Sequence, residues 1–191
     1  MPVGLRADAL QRCFDTALPW EAYLATAPDK AEGWRELHDR IELTEPQREL
    51  LSTFTRRMPV LMLSGIWCGD CVRQGPILQA IADAAPSIDL RFIDRDADES
   101  LRDALAINDG HRVPVVLFMA EDHEPVSAIG DRTLRYYRHL AASKLGGGCP
   151  MPGAPTADDL LDDLMQDWLD ECERVHLLLR LSGRLRTAHG D

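Results

Sequence analysis

Cys68 and Cys71, in the run Trp67, Cys68, Gly69, Asp70, Cys71, are the residues of this chain whose type and spacing point most directly to chemistry. If the pair opens a helix, the unpaired N–H groups and positive dipole end there favour a thiolate over a thiol, whose ordinary pKa is about 8.5. Thiolate is the attacking species in thiol–disulfide exchange. Cys68, at the exposed edge of the turn, would attack a substrate disulfide, and Cys71, one turn into the helix, would release the product by attacking the mixed disulfide. Two other readings compete: half of a zinc site, or a structural pair in a binding module. Zinc fits poorly, because the sequence holds no second Cys-x-x-Cys and its six histidines show no His-x-x-x-His spacing. No metal and no organic cofactor is expected.

Such a pair needs a strand before it and a helix after it. Pro59 to Leu63 is a short apolar run bounded by polar residues, the pattern of a strand buried on both faces. From Gly69 to Ala84 the spacing of Val72, Ile77, Leu78, Ile81 and Ala85 predicts a helix, with Pro76 inside it as a source of a kink. A second strand is expected over Ile88 to Ile93 and a short helix capped by Asp98 through Leu105. A third strand, Val113 to Met119, and a fourth, Val126 to Ile129, close a hairpin around a polar turn at residues 121–124. Asp131 is expected to cap a helix carrying Leu134, Tyr137 and Leu140. Strands alternating with helices and ending in a hairpin indicate an α/β fold: a central mixed sheet of about four strands flanked by helices.

Elements outside that core read as additions. Residues 1–57 carry Leu10 and Phe14, Tyr23 and Leu24, then Trp34, Leu37 and Ile41 at helical spacing, so these aromatics are assigned to the core. Thr44 with Gln47 forms a capping-box pattern, and Pro46 suits a first turn, predicting a helix from Glu45 to Arg57. The organisation that follows is an N-terminal helical extension over 1–43, a main domain over 44–145 and a Gly/Pro connector over 146–155. A C-terminal helix over 156–191 packs on the domain, its stripe formed by Leu161, Leu164, Met165, Trp168, Cys172, Val175 and Leu179. A dimer contact through the same stripe is the alternative. Acidic residues crowd the start of that helix, and Arg180, Arg184 and Arg186 its end, which suits the helix dipole.

Charge and cysteine usage narrow the function further. A formal charge of -11 over 191 residues disfavours nucleic acid and anionic membranes as partners. The first twenty residues interrupt their apolar positions with Arg6, Asp8, Gln11, Arg12 and Asp15, unlike a signal peptide, so a cytoplasmic location is expected, where thiols stay reduced. The five cysteines therefore read as one close pair and three singles. Cys13 and Cys172 are expected to behave as small hydrophobes, and Cys149, in the connector, as an exposed thiol open to oxidation. His111 and the acidic run of Asp94, Asp96, Asp98 and Glu99 read as solvated loop and cap.

With these residues in place the sequence resembles the thioredoxin family. Trp67 precedes the first cysteine, Pro76 follows the second by five residues, and Arg112, Val113, Pro114 and Val115 fall where the family carries its cis-proline. Gly130 lies where a family glycine is expected. The motif-bearing part runs from Thr44 to Leu145. The resemblance implies a thioredoxin fold in which Val113 and Pro114 pack beside the cysteines, the Val113 backbone pairs with an extended substrate segment and Trp67 forms a wall of that groove. It implies a thiol:disulfide oxidoreductase with Cys68 and Cys71 catalytic and Trp67, Gly69, Asp70, Val113 and Pro114 supporting them. The substrates would be protein or small-molecule disulfides, and the electron source a thioredoxin reductase or a glutathione system. Two departures stand out. Met62 and Leu90 occupy the positions of a buried aspartate and its lysine, which leaves the proton acceptor for Cys71 unassigned, and Asp70 replaces the usual proline. The rival from another class is a thioredoxin-like adaptor with vestigial cysteines.

Overall fold

A computed structural model of the chain describes residues 5–145 and 160–190. Cys149, the Gly/Pro connector and the start expected for the C-terminal helix lie outside those residues. Four strands form one sheet in the order β2-β1-β3-β4. They are β1 (Met58–Ser64), β2 (Ile88–Asp94), β3 (Val115–Met119) and β4 (Pro125–Gly130). β1 runs parallel to β2 and antiparallel to β3, and β3 runs antiparallel to β4, so the sheet is mixed as its sequence pattern predicts. Every residue of β1 and β3 is buried, which is why both read as unbroken apolar runs.

The helices are α1 (Ala7–Thr16), α2 (Trp20–Leu24), α3 (Pro28–His38), α4 (Glu45–Ser52), α5 (Gly69–Ala84), α6 (Glu99–Ala104), α7 (Leu134–Lys144), α8 (Leu160–Leu181) and α9 (Gly183–His189). The capping box at Thr44 and Gln47 is formed, but α4 ends at Ser52 instead of continuing to Arg57. The Ser52 and Thr53 hydroxyls donate to the carbonyls of Glu49 and Leu50, each at 2.7 Å, and so compete with the helical ladder. Pro59 then holds Met58 in extended backbone, where β1 begins.

Two further expectations are corrected. Asp131 does not cap α7: Thr133 is the cap residue, and the Arg135 N–H is taken by Asp167 of α8 at 2.9 Å. The C-terminal helical pattern is divided, because Ser182 leaves the helical conformation and its hydroxyl accepts from the Leu185 N–H at 3.4 Å to start α9. The stripe of α8 is buried from Leu164 to Leu179, with Trp168 against Phe118 of β3.

The N-terminal helices form one wall of the core rather than a loose appendage. Trp20, Tyr23 and Trp34 cluster around Phe92 of β2, Tyr23 stacking on it at 5.2 Å between ring centroids. Leu18 exchanges two backbone hydrogen bonds with Phe92, each 2.8 Å, closing the free edge of β2 at that point. α3 packs on α5 at Gly75, where a Cβ would lie 2.2 Å from the Trp34 ring.

Candidate active site

β1 ends at Ser64, and four residues later the chain enters α5 with Cys68 as its cap residue. The loop between them is tied from behind. The Trp34 indole N–H donates to the Ile66 carbonyl at 3.0 Å, the Cys68 N–H to the Gly65 carbonyl at 2.8 Å, and the Arg95 N–H to the Ser64 carbonyl at 2.8 Å. The Cys68 carbonyl accepts the first bond of α5, from the Val72 N–H at 2.9 Å. The Cys68 sulfur therefore lies over the unpaired N–H groups of a helix start. Pro76 lies within α5 and forgoes only the bond to the Val72 carbonyl.

The two thiols differ sharply in surroundings. Cys68 is half-buried and its pKa falls to about 6. The hydrogen bond from the Cys71 thiol is the main cause; the N–H groups of Cys71 and Asp70 add to it, while burial and the Asp70 charge oppose it. Cys71 is fully buried, and that burial, together with its bond to Cys68, raises its pKa far above the ordinary thiol value. As a thiol, Cys68 donates to the Val113 carbonyl at 3.5 Å, and the Val113–Pro114 peptide is cis. Gly130 sits close by, where a Cβ would lie 2.8 Å from the Pro114 carbonyl oxygen. Trp67 is 54% exposed, with the Arg95 guanidinium 5.0 Å over its ring.

Cys68, Cys71, Trp67, Gly69, Val113 and Pro114 thus converge at one end of the sheet. Gly69 is exposed, and nothing within 4 Å would meet a Cβ there. Asp70 lies in the same turn, at the start of α5. Its carboxylate accepts from the Tyr136 hydroxyl at 2.7 Å and pairs with Arg132. Arg132 also pairs with Asp131 at 2.9 Å, and Arg112 reaches Asp131 at 3.3 Å. Met62 and Leu90 are both buried in the sheet.

Sequence reasoning misses several members of this site. Tyr23 and Trp34 read in the sequence as core aromatics only, and Arg132 and Tyr136 approach from a distant stretch of the chain that no local periodicity ties to the cysteines. Ser64 reads in the sequence only as the polar boundary of a strand, although it is completely buried. The remaining thiols are set apart. Cys13 is buried, and burial raises its pKa to about 11, with Asp98 3.6 Å from its sulfur. Cys172 is buried in the α8 stripe, and burial pushes its thiol up as well. His111 is exposed beside Asp103, at 3.1 Å.

The fold recurs in solved structures. A Pseudomonas aeruginosa protein of unknown function is 22% identical, with a TM-score of 0.57 over 87% of this chain and 93% of that one. An HIV epitope-scaffold is 21% identical, with a TM-score of 0.58 over 88% of this chain and 95% of that one. Among curated proteins none matches. A family described as Thioredoxin matches residues 17–142, a span that takes in α2 and α3 together with the sheet and both cysteines. That span covers well over half of the sequence, and the chain belongs to the thioredoxin family.

Proposed function

We propose that this chain is a thiol:disulfide oxidoreductase that reduces protein or small-molecule disulfides through Cys68 and Cys71. The observation that carries the reading is the asymmetry of the pair: one half-buried thiol with a pKa of about 6, and one buried thiol held protonated beside it. Near neutral pH Cys68 is a thiolate. Its attack on a substrate disulfide forms a mixed disulfide and expels one substrate thiol. Cys71 then attacks the Cys68 sulfur, the second substrate thiol leaves, and the protein is left with a Cys68–Cys71 disulfide. A thioredoxin reductase or a glutathione system would return it to the dithiol. Val113, at the cis-proline, and exposed Trp67 supply the edges of a groove into which an extended substrate segment fits.

The reading is tested by equilibrating the protein in glutathione and dithiothreitol buffers and then assaying reduction of a protein disulfide and of cystine. A reversible two-electron midpoint that requires both Cys68 and Cys71 is the expected result. A pair that forms no disulfide in any of these buffers would leave the adaptor reading in its place.

A further inference from the structure

Position 62, six residues before Cys68, carries a methionine and not an acid, so the polar groups that reach the resolving thiol decide how it reacts. Two of them are hydrogen-bond donors. The Gly65 N–H points at the Cys71 sulfur at 3.5 Å, and the hydroxyl of Ser64, the residue before it, lowers the pKa of the same thiol. Ser64 is completely buried at the end of β1, and its backbone carbonyl is held by the Arg95 N–H. Its hydroxyl oxygen accepts from the Tyr23 hydroxyl at 3.1 Å. That acceptance leaves the Ser64 proton free to point at Cys71. The Tyr23 ring cannot swing away: it is 2% exposed, stacked on Phe92 and set edge-on to Trp34 at 5.7 Å. Burial also raises the Tyr23 pKa, so its hydroxyl keeps its proton and acts as a donor, not a base.

We propose that Ser64, positioned by Tyr23, is a catalytic residue that donates a hydrogen bond to the Cys71 sulfur and stabilises its thiolate while the mixed disulfide is resolved. The inference deepens the oxidoreductase reading and rests on it. In this step the Cys71 thiolate attacks Cys68 Sγ, and the Cys68–Cys71 bond forms as the Cys68–substrate bond breaks. The electron pair leaves on the substrate sulfur, and the proton lost by Cys71 ends on that departing thiolate, directly or through water. Two electrons pass to the substrate disulfide, and Ser64 and Tyr23 finish unchanged. The groups facing Cys71 are Cys68, Ser64 and Gly65, while Tyr23 feels the charges of Asp94 and both cysteines.

A donor of this kind leaves a signature in pH. Removing it raises the Cys71 pKa, which thins the thiolate population but makes each remaining thiolate a better nucleophile, with a Brønsted slope of about 0.4 to 0.5. A tenfold fall in the thiolate fraction is therefore partly offset, and the net loss of rate below the Cys71 midpoint is roughly threefold. Above that midpoint the variant becomes the faster enzyme.

The probe is 5,5′-dithiobis(2-nitrobenzoate), whose attack by Cys68 and resolution by Cys71 each release one coloured thiolate. Cys71→Ser defines the attack phase and any contribution of Cys13, Cys149 and Cys172. Stopped-flow traces from pH 7 to 10, all below the raised Cys71 midpoint, are expected to show unchanged attack in Ser64→Ala and resolution roughly threefold slower. Tyr23→Phe should show a smaller slowing, and adding it to Ser64→Ala should change nothing more; it also serves alone should Ser64→Ala not fold. Resolution not slowed in Ser64→Ala, or slowed further when Tyr23→Phe is added to it, would overturn the role of Ser64. A wild-type protein with no Cys71-dependent second phase would instead overturn the oxidoreductase reading.

Discussion

Cys68 and Cys71 are the same residue type one helical turn apart, and only their surroundings separate a nucleophile from a reserve. The Cys71 thiol, aided by the N–H groups of the helix start, lowers the Cys68 pKa to about 6, whereas burial keeps Cys71 protonated. Iodoacetamide should therefore modify Cys68 first, with a rate midpoint of about pH 6, and Cys71→Ser should accumulate mixed disulfides at Cys68; labelling of Cys71 first would reverse the two roles. This asymmetry is legible in sequence, because a Cys-x-x-Cys after an apolar strand implies it. The role of Asp70 is not. A turn residue reads as solvated, whereas Asp70 is bound by Arg132 and Tyr136, 62 and 66 positions further along the chain. Both carboxylate oxygens are taken by these two partners, yet the Asp70 charge still opposes the Cys68 thiolate. Asp70→Asn should lower the Cys68 pKa and leave the resolution rate unchanged, as measured by stopped flow. It should also cost about 1 to 3 kcal/mol in denaturant unfolding, because Arg132 and Tyr136 lose a charged partner.

At the scale of elements, what can be read locally is the strand–helix pair around the cysteines, since period and length are local properties of β1 and α5. What cannot be read depends on neighbours that arrive from elsewhere. The N–H left open at α7 is taken by Asp167 from α8, and α4 stops where Phe54 turns to stack on His176 at 4.3 Å. The packing of α3 on α5 belongs to the same class. Gly75 looks like a weak point inside a helix, and Ala there should gain about 1 kcal/mol from propensity alone. Its Cβ, however, would lie 2.2 Å from a Trp34 ring that is fully buried and anchored to the Ile66 carbonyl. Overpacking of this kind costs about 1 to 3 kcal/mol or more, so the clash should win. Gly75→Ala is expected to lower the urea midpoint by the equivalent of about 1 to 2 kcal/mol. A stabilised variant would mean that α3 can retreat from α5.

At the scale of the whole molecule, the chain is strongly acidic, and among the described residues no helix is long and apolar enough to cross a membrane. Its pH dependence is set by groups buried where helices dock on the sheet. His176 of α8 is 2% exposed, its ring lies parallel to Phe54 at 7°, and neither ring nitrogen has a hydrogen-bond partner among the described residues. Burial, helped by the Arg180 charge, holds its pKa below 6.5. The unfolded chain takes up a proton at that ordinary value while the folded protein resists it, so the stability from a neutral His176 is complete above about pH 6.5. It is lost as the pH falls toward the lower folded value. His123, whose pKa burial also lowers, adds a slope of the same sign. Replacing His176 by Phe keeps the stack on Phe54 and removes the titration. Urea unfolding at several pH values should therefore show His176→Phe at least as stable as the parent at pH 7. As the pH falls below about 6.5 the variant should retain stability that the parent loses. Parallel pH profiles for the two proteins would mean that α8 opens to protonate His176 without cost, and that its docking is not what resists acid.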